Sequence, residues 1–355
     1  MVAFVTLPKF YRDEKSKKHM ISEEKMHYDN RNMKRALTIV AGLVLLVVLL
    51  LAGMTYGIVE VSIKEFLAGT LPADTKRIIG NIRMPRVIVG ALVGMNLALA
   101  GSIMQGVLRN PLASPSTLGV TGGAGLGAMF ILILYPHLMN FVPLTAFCGA
   151  MVSMLLVYML SWQGGQVQPM RLILSGVALT ALFTAAITSL MVFHADKVQG
   201  AIQWMAGGFQ GRSWQHVRMV LPYTVAGFGL SIWSAKTLNI LSLGDDMATS
   251  LGVNVPRSRL ILMTIASFLT ASAVSAAGTL SFVGLIVPHI ARLLVGSDYE
   301  TMLPAAAIFG AALIVGADTV ARLVLQPAEV PVGVFMAFLG APFFLYLLRQ
   351  RGGIR

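Results

Sequence analysis

The run ALTIVAGLVLLVVLLLAGMTYG, residues 36–57, decides the fold class. It carries no charged side chain from end to end. A helix that crosses a bilayer needs about 20 apolar residues, and this run supplies them. Lys34 and Arg35 stand directly before it. A signal peptide has a short basic start and a brief apolar core that ends in small residues. Here a long charged stretch precedes a long apolar one, so the pattern reads as a tail followed by a spanning helix. The tail, residues 1–35, holds nine Lys/Arg and five Asp/Glu. Its basic end beside the first span places it on the cytosolic side under the positive-inside rule.

Working outward, comparable runs recur at about 87–107, 117–135, 142–162, 171–193, 214–235, 259–277, 281–297, 302–323 and 332–349. Polar or Pro/Gly punctuation separates them, as at Asn110-Pro111, Gly164-Gly165, Gly207-Gly208, Asp245-Asp246 and Pro327 to Pro331. The eighth run is short and contains Pro288, so a tilted or broken helix is expected there. The chain is thus read as a charged tail, 1–35, and one polytopic membrane domain, 36–355. Ten spans return both termini to the same side.

Composition agrees. Of 355 residues, 56% are hydrophobic and 12% charged. Soluble domains carry roughly 25% charged residues. The net charge of +12 would suggest nucleic acid in a soluble protein. In a membrane protein it speaks first of orientation, so no nucleic-acid partner is expected. Five basic residues crowd one outer loop (Lys64, Lys76, Arg77, Arg83 and Arg86), against the positive-inside trend. The lone cysteine, Cys148, excludes an internal disulfide and a cysteine metal site.

A faint inverted repeat is expected. Ala100-Gly101-Ser102 precedes Pro111 as Ala277-Gly278-Thr279 precedes Pro288, with the copies an odd number of spans, five, apart. Thirty-five glycines, many inside spans, read as close-packing surfaces between helices. None is followed by the Gly-Lys-Ser/Thr of a phosphate loop, so the chain shows no nucleotide-hydrolysing motif. Few ionisable groups lie inside spans. Asp318 and Arg322, four residues apart, suit a structural ion pair on one helical face. His289 beside Pro288 reads as structural, because a lone histidine makes no metal site. Between the sixth and seventh spans, Asp245 and Asp246 suit the first turn of a short helix and Gly252 its end. Such a helix on the cytosolic face would be a handle for a soluble partner.

These residues together resemble the FecCD family, the permease subunits of bacterial ABC importers for iron-siderophores, haem and cobalamin. The resemblance rests on Arg83-Met-Pro-Arg86, Leu97 to Gly101, Gln105-Gly106 with Arg109 to Pro115, and Leu118 to Ala124. It continues through Leu172 to Ala178, Trp204 to Phe209, Gly244 to Gly252 and Phe282 to Arg292. Ala317-Asp318 with Ala321-Arg322, Glu329 to Gly333 and Gly340 to Phe344 complete the ordered set.

The resemblance implies an all-α type II importer permease with ten spans and two permease subunits, identical or different, around a central pathway. It implies two cytosolic ATPase subunits that carry the ATP, and an external substrate-binding protein. The chain itself would need no cofactor or metal and catalyse no covalent step. Gly244, Asp245, Ala248, Leu251 and Gly252 would form the ATPase-coupling loop. Arg83, Arg86 and Arg322 would receive acidic residues of the binding protein, with anchoring to lipid headgroups as the competing reading. Asn110, Pro111, Pro288, His289 and Asp318 would be structural or gating residues. The pathway is implied to lie beside span 5 and the segment 199–211. The rival class is an ion-coupled secondary transporter that uses Asp318 and no ATPase.

Overall fold

Each apolar run is a helix in the computed structural model, which describes residues 14–57, 61–68, 70–163 and 166–351. The chain starts with α1 (Glu14–Thr55), then the short α2 (Ile63–Ala68) and α3 (Ala73–Ile78). A wide turn at Ile79–Arg83 leads without a break into α4 (Met84–Leu108). α5 (Val120–Met129), α6 (Val142–Ser161) and α7 (Pro169–Phe193) follow. The two-residue strands β1 (Trp162–Gln163) and β2 (Gln166–Val167) pair antiparallel between α6 and α7. Then come α8 (Val198–Ala206), α9 (Trp214–Trp233), α10 (Ala235–Ser242) and α11 (Asp245–Ser250). The last four are α12 (Val255–Ala277), α13 (Val283–Val295), α14 (Tyr299–Val324) and α15 (Val332–Arg351).

α4 is the axis of the bundle. From Val87 to Leu108 almost every residue is buried, by α14, α12, α13 and α9 around it. Such all-round burial needs a helix apolar on every face, which the sequence supplies. Pro85 sits in the first turn, where its missing N–H costs nothing. The helix ends on Arg109, whose φ of 48° lies in the left-handed region usually left to glycine. Arg86 and Arg109 therefore mark opposite ends of one rod, about 35 Å apart at 1.5 Å per residue. Arg35, at the start of the first apolar run, lies 4.0 Å from Asp298 at the start of α14. The start of that run, the end of α15 and α11 thus share the Arg109 end of the molecule.

Glycine sets the closest approaches. A Cβ on Gly101 would collide with the backbone of Gly284, and one on Gly94 with the carbonyl of Gly310. Gly123 and Gly149 oppose each other in the same way across α5 and α6. Backbone-to-backbone contact of this kind maximises dispersion where no hydrophobic effect drives helices together. Gly101→Ala is expected to destabilise the chain by about 1–3 kcal/mol through overpacking. The melting temperature of the purified protein checks this, and an unchanged value would mean that α4 and α13 part without cost.

Gly101 lies inside α4, whereas Gly278 ends α12 with a φ of 72°. The two short matches that suggested an inverted repeat therefore occupy unlike positions. The boundary between tail and membrane domain falls inside α1, which continues unbroken from Glu14 through residue 35. Residues 1–13 of the tail lie outside the described residues. The eighth span is short as expected: the 13 residues of α13 reach about 20 Å, less than a hydrocarbon core.

α7 is enclosed along one side only. It buries a single stripe, Leu172, Gly176, Leu179, Phe183 and Ile187, at helical spacing. Met170, Leu174, Val177, Leu182 and Phe193 remain exposed. That face suits lipid or a second subunit rather than water.

Candidate functional site

At one end of α4, four charged side chains form a closed cluster. Arg86 donates from Nε and Nη2 to the two oxygens of Asp318, at 3.0 and 2.9 Å. Its Nη1 donates to Glu329 Oε2 at 2.8 Å. This is the bidentate fork that guanidinium and carboxylate planes favour. Arg322, one turn beyond Asp318, lies 3.4 Å from Asp318 Oδ2 and donates to the Gly53 carbonyl at 3.0 Å. Arg83 donates to the carbonyls of Met54 and Thr55 at 3.1 and 2.8 Å. Those carbonyls belong to the last turn of α1, where helix geometry leaves them without an intrahelical partner.

Arg83, Arg86 and Arg322 were expected to present charge to an external partner. Arg83 and Arg322 are instead each 6% exposed, and the Arg86 side chain is 11% exposed. They bind α1, α4, α14 and the turn before α15 to one another. The i,i+4 pairing of Asp318 with Arg322 was visible in the sequence. The stronger partner, Arg86, was not, because it lies 232 positions away.

Beside this cluster opens a cavity of about 460 Å³, lined by Arg86, Gln203, Trp204, Phe209, Arg212 and Glu329 among others. It contains much of the segment 199–211 that the resemblance placed on the pathway. Gly200, Gly207, Gly208 and Gly211 contribute bare backbone to its wall. Gln203 Nε2 donates to Gln210 Oε1 at 3.2 Å across it. Trp214 Nε1 donates to the Gly80 carbonyl at 2.8 Å and ties α9 to the turn before α4. Arg212 was not singled out from sequence. Its only signal was a basic residue in a glycine-rich turn at the edge of a span. Burial pushes its guanidinium below the usual arginine value.

At the opposite end, Asp245 is the hub. Its Oδ1 accepts from Arg259 Nη2 at 2.8 Å and lies 3.1 Å from Arg109 Nη2. Arg259, 4% exposed, also donates from Nη1 to the Val167 carbonyl of β2 at 3.0 Å. One carboxylate thus joins α11 to the end of α4, the start of α12 and the β1–β2 hairpin. This accounts for an arginine at the left-handed position 109, where glycine would be strain-free but could not reach Asp245. Gly244, with a φ of 113°, turns the chain into α11. Asp245 and Asp246 occupy its first turn, and Gly252, with a φ of 82°, lies past its end. Ala248 is buried, whereas Met247 and Leu251 are 54% and 57% exposed.

The remaining sequence candidates lie within the scaffold. Asn110 Oδ1 accepts from Leu112 N–H at 2.9 Å and shapes the turn through Pro111. Pro288 is buried within α13, and the His289 ring packs edge-on to Phe343 at 6.3 Å. Arg292 Nη2 donates to Gln105 Oε1 at 3.2 Å and couples α13 to α4.

Residues 45–350 match the FecCD transport family. The chain is 38% identical over 328 residues to the Fe(3+)-citrate import system permease protein YfmE of Bacillus subtilis, covering 91% of this chain and 98% of that one. It is 42% identical over 281 residues to the cobalamin import system permease protein BtuC of Halobacterium salinarum, covering 79% and 76%. Among solved structures it superposes with TM-score 0.80, at 27% identity, on an inward-facing conformation of a transporter assigned to the metal-chelate ABC type. That match covers 88% of this chain and 98% of the other. PsaBC of Streptococcus pneumoniae, at 19% identity and TM-score 0.57 over 80% of this chain and 95% of that one, shares the fold.

Proposed function

The chain belongs to the FecCD transport family and is an integral membrane permease of an ABC importer with the type II fold; from this premise we propose that it carries an iron chelate inward by alternating access. A cobalamin cargo is the second reading. Iron is favoured because the iron-citrate relative matches over a larger share of both chains than the cobalamin relative does.

The observation that carries the mechanism is α4 with an ionic cluster at each end. We place the Arg86 end outside and the Arg109 end in the cytosol, with both termini there, in a bacterial cytoplasmic membrane. On this reading α11 seats in a partner ATPase, and two such subunits hydrolyse the ATP. This chain then contributes no catalytic group and binds no cofactor. Two permease subunits, identical or different, enclose the pathway, with α7 and α8 beside it. Movement of α11 reaches α4 and α12 through Asp245. Two packings of the bundle are then biased from two distant faces.

The binding protein meets the Arg86 end. Since Arg86 and Arg322 are already paired, docking carboxylates would have to compete with Asp318 and Glu329. Glu329, with its side chain 23% exposed, is the more accessible of the two acids. Docking by exchange of partners would link capture to release of the turn before α15. The rival ion-coupled mechanism needs Asp318 for an ion. Both its oxygens are engaged by Arg86.

Proteoliposomes carrying the permease with its ATPase and binding protein test the reading. Uptake of iron(III) chelate is expected to require ATP inside or outside according to orientation, and to stop without the ATPase. Uptake driven by an ion gradient with no ATPase present would defeat it.

A further inference from the structure

Arg212 stands out among the charged groups at the Arg86 end. Arg86 and Arg322 there pair with Asp318 and Glu329, and Arg83 donates to the carbonyls that end α1. Among the described residues, no carboxylate lies within 4.0 Å of Arg212, and its buried Nε has no hydrogen-bond partner. A guanidinium stays charged at any physiological pH and is costly to desolvate unpaired.

The neighbour of Arg212 is an imidazole and supplies no negative charge. His216 Nε2 lies 3.4 Å from Arg212 Nη1. The Ser213 N–H donates to His216 Nδ1 at 3.3 Å, closing the first turn of α9. Which ring nitrogen carries the proton sets whether Nε2 accepts from Arg212, and in either tautomer the Arg212 Nε is left for an anion. Gln203 and Gln210, already hydrogen-bonded across the same cavity, retain further polar atoms for a ligand.

We propose that the cavity beside Arg212 is a transient binding site for a carboxylate group of the cargo, so that the transporter favours anionic metal chelates over neutral ones. The inference rests on the import reading above and adds the charge class of the substrate. The cavity volume falls in the range of small-ligand pockets. A fork-shaped guanidinium recognises carboxylate with two parallel bonds. Of the two arginines that line the cavity, Arg86 is held by Asp318 and Glu329 and Arg212 alone is left for a ligand, with the Glu329 carboxylate in the same wall, and the resulting weak binding suits a cargo that must leave again.

The test uses the assembled transporter, with metal-free citrate as the probe. Citrate should raise the melting temperature of the wild type by about 2 °C or more, as any ligand of the native state does. Arg212→Gln should abolish that rise. Without citrate, Arg212→Gln should melt at or above the wild-type temperature, because a half-buried charge with no carboxylate partner has been removed. A merely structural arginine would instead lower it. Arg212→Lys, which keeps the charge, should retain part of the citrate effect and covers the case in which Arg212→Gln fails to assemble.

An equal citrate shift in wild type and Arg212→Gln, or no shift in wild type, overturns the proposal. So does a variant that loses capture of chelate-free binding protein while keeping the citrate shift, since the anion would then be a docking side chain. ATP-driven uptake by the wild type is scored separately. Its absence alongside a citrate shift would strike the import reading and leave the anion site standing.

Discussion

Arg86→Ala is expected to be among the most damaging single substitutions in this chain. It removes three hydrogen bonds and leaves Asp318, its side chain 6% exposed, with Arg322 alone at 3.4 Å. Removing one partner of a buried pair typically costs about 3–5 kcal/mol. The variant should accumulate poorly in the membrane, and what is purified should melt well below wild type. Removing both charges is a different experiment. Arg86→Met combined with Asp318→Leu removes the fork, and Glu329 can turn to water, but Arg322 loses its carboxylate partner and keeps only the Gly53 carbonyl and Thr319 hydroxyl, so stability should return in part rather than fully. The double variant then separates two roles. If the cluster only joins helices, recovery of stability brings recovery of uptake. If Arg86 also receives the binding protein, stability returns while capture and its salt dependence do not. Normal accumulation and melting of Arg86→Ala would show that the cluster contributes nothing to the fold.

The second large effect is expected at the other end. Met247 and Leu251 are four residues apart on the exposed side of α11, while Ala248 anchors its inner side. Exposed apolar residues on a short helix held by a half-buried ionic hub have the form of an interface anchor. Met247→Asp with Leu251→Asp should leave the melting temperature of the isolated permease within about 1 °C, as exposed substitutions do. Loss of an interface hot spot of about 2 kcal/mol corresponds to roughly 30-fold weaker association. The ATPase subunit should therefore no longer co-purify, and ATP-driven uptake should cease. Retention of the ATPase by the double variant would move the coupling surface elsewhere.

The long helices were legible because lipid imposes a demand that sequence states openly: about 20 apolar residues in a row. The local features of α11 were legible too, since Asp245, Asp246 and Gly252 act through helix ends only a few residues away. What escaped were pairings set by the third dimension. Asp318 meets Arg86 across 232 positions and Asp245 meets Arg109 across the bundle. No periodicity joins such residues. Reading Arg83, Arg86 and Arg322 as exposed followed from their place in a polar loop or at a span end. It missed that each had an acceptor waiting in the ends of α1 or α14. Arg212 escaped for the converse reason. Its meaning lies in the absence of an acid nearby, and an absence in space leaves no mark in the chain.

The glycine contacts also have a mechanical consequence. Where backbone rests on backbone, as at Gly101 on Gly284 and Gly94 on Gly310, there are no side chains to change rotamer and let one helix slide past another. α4, α13 and α14 are in effect welded, and they should move as a single stiff slab. Gly176 of α7 rests in the same way on the backbone of Thr117 and Leu118, and the carbonyls of Trp204 and Ala206 in α8 meet Gly278 and Gly333. A transporter built this way would not flex throughout. It would move as blocks set by these glycine contacts, and Arg212 lies in the turn that joins α8 to α9.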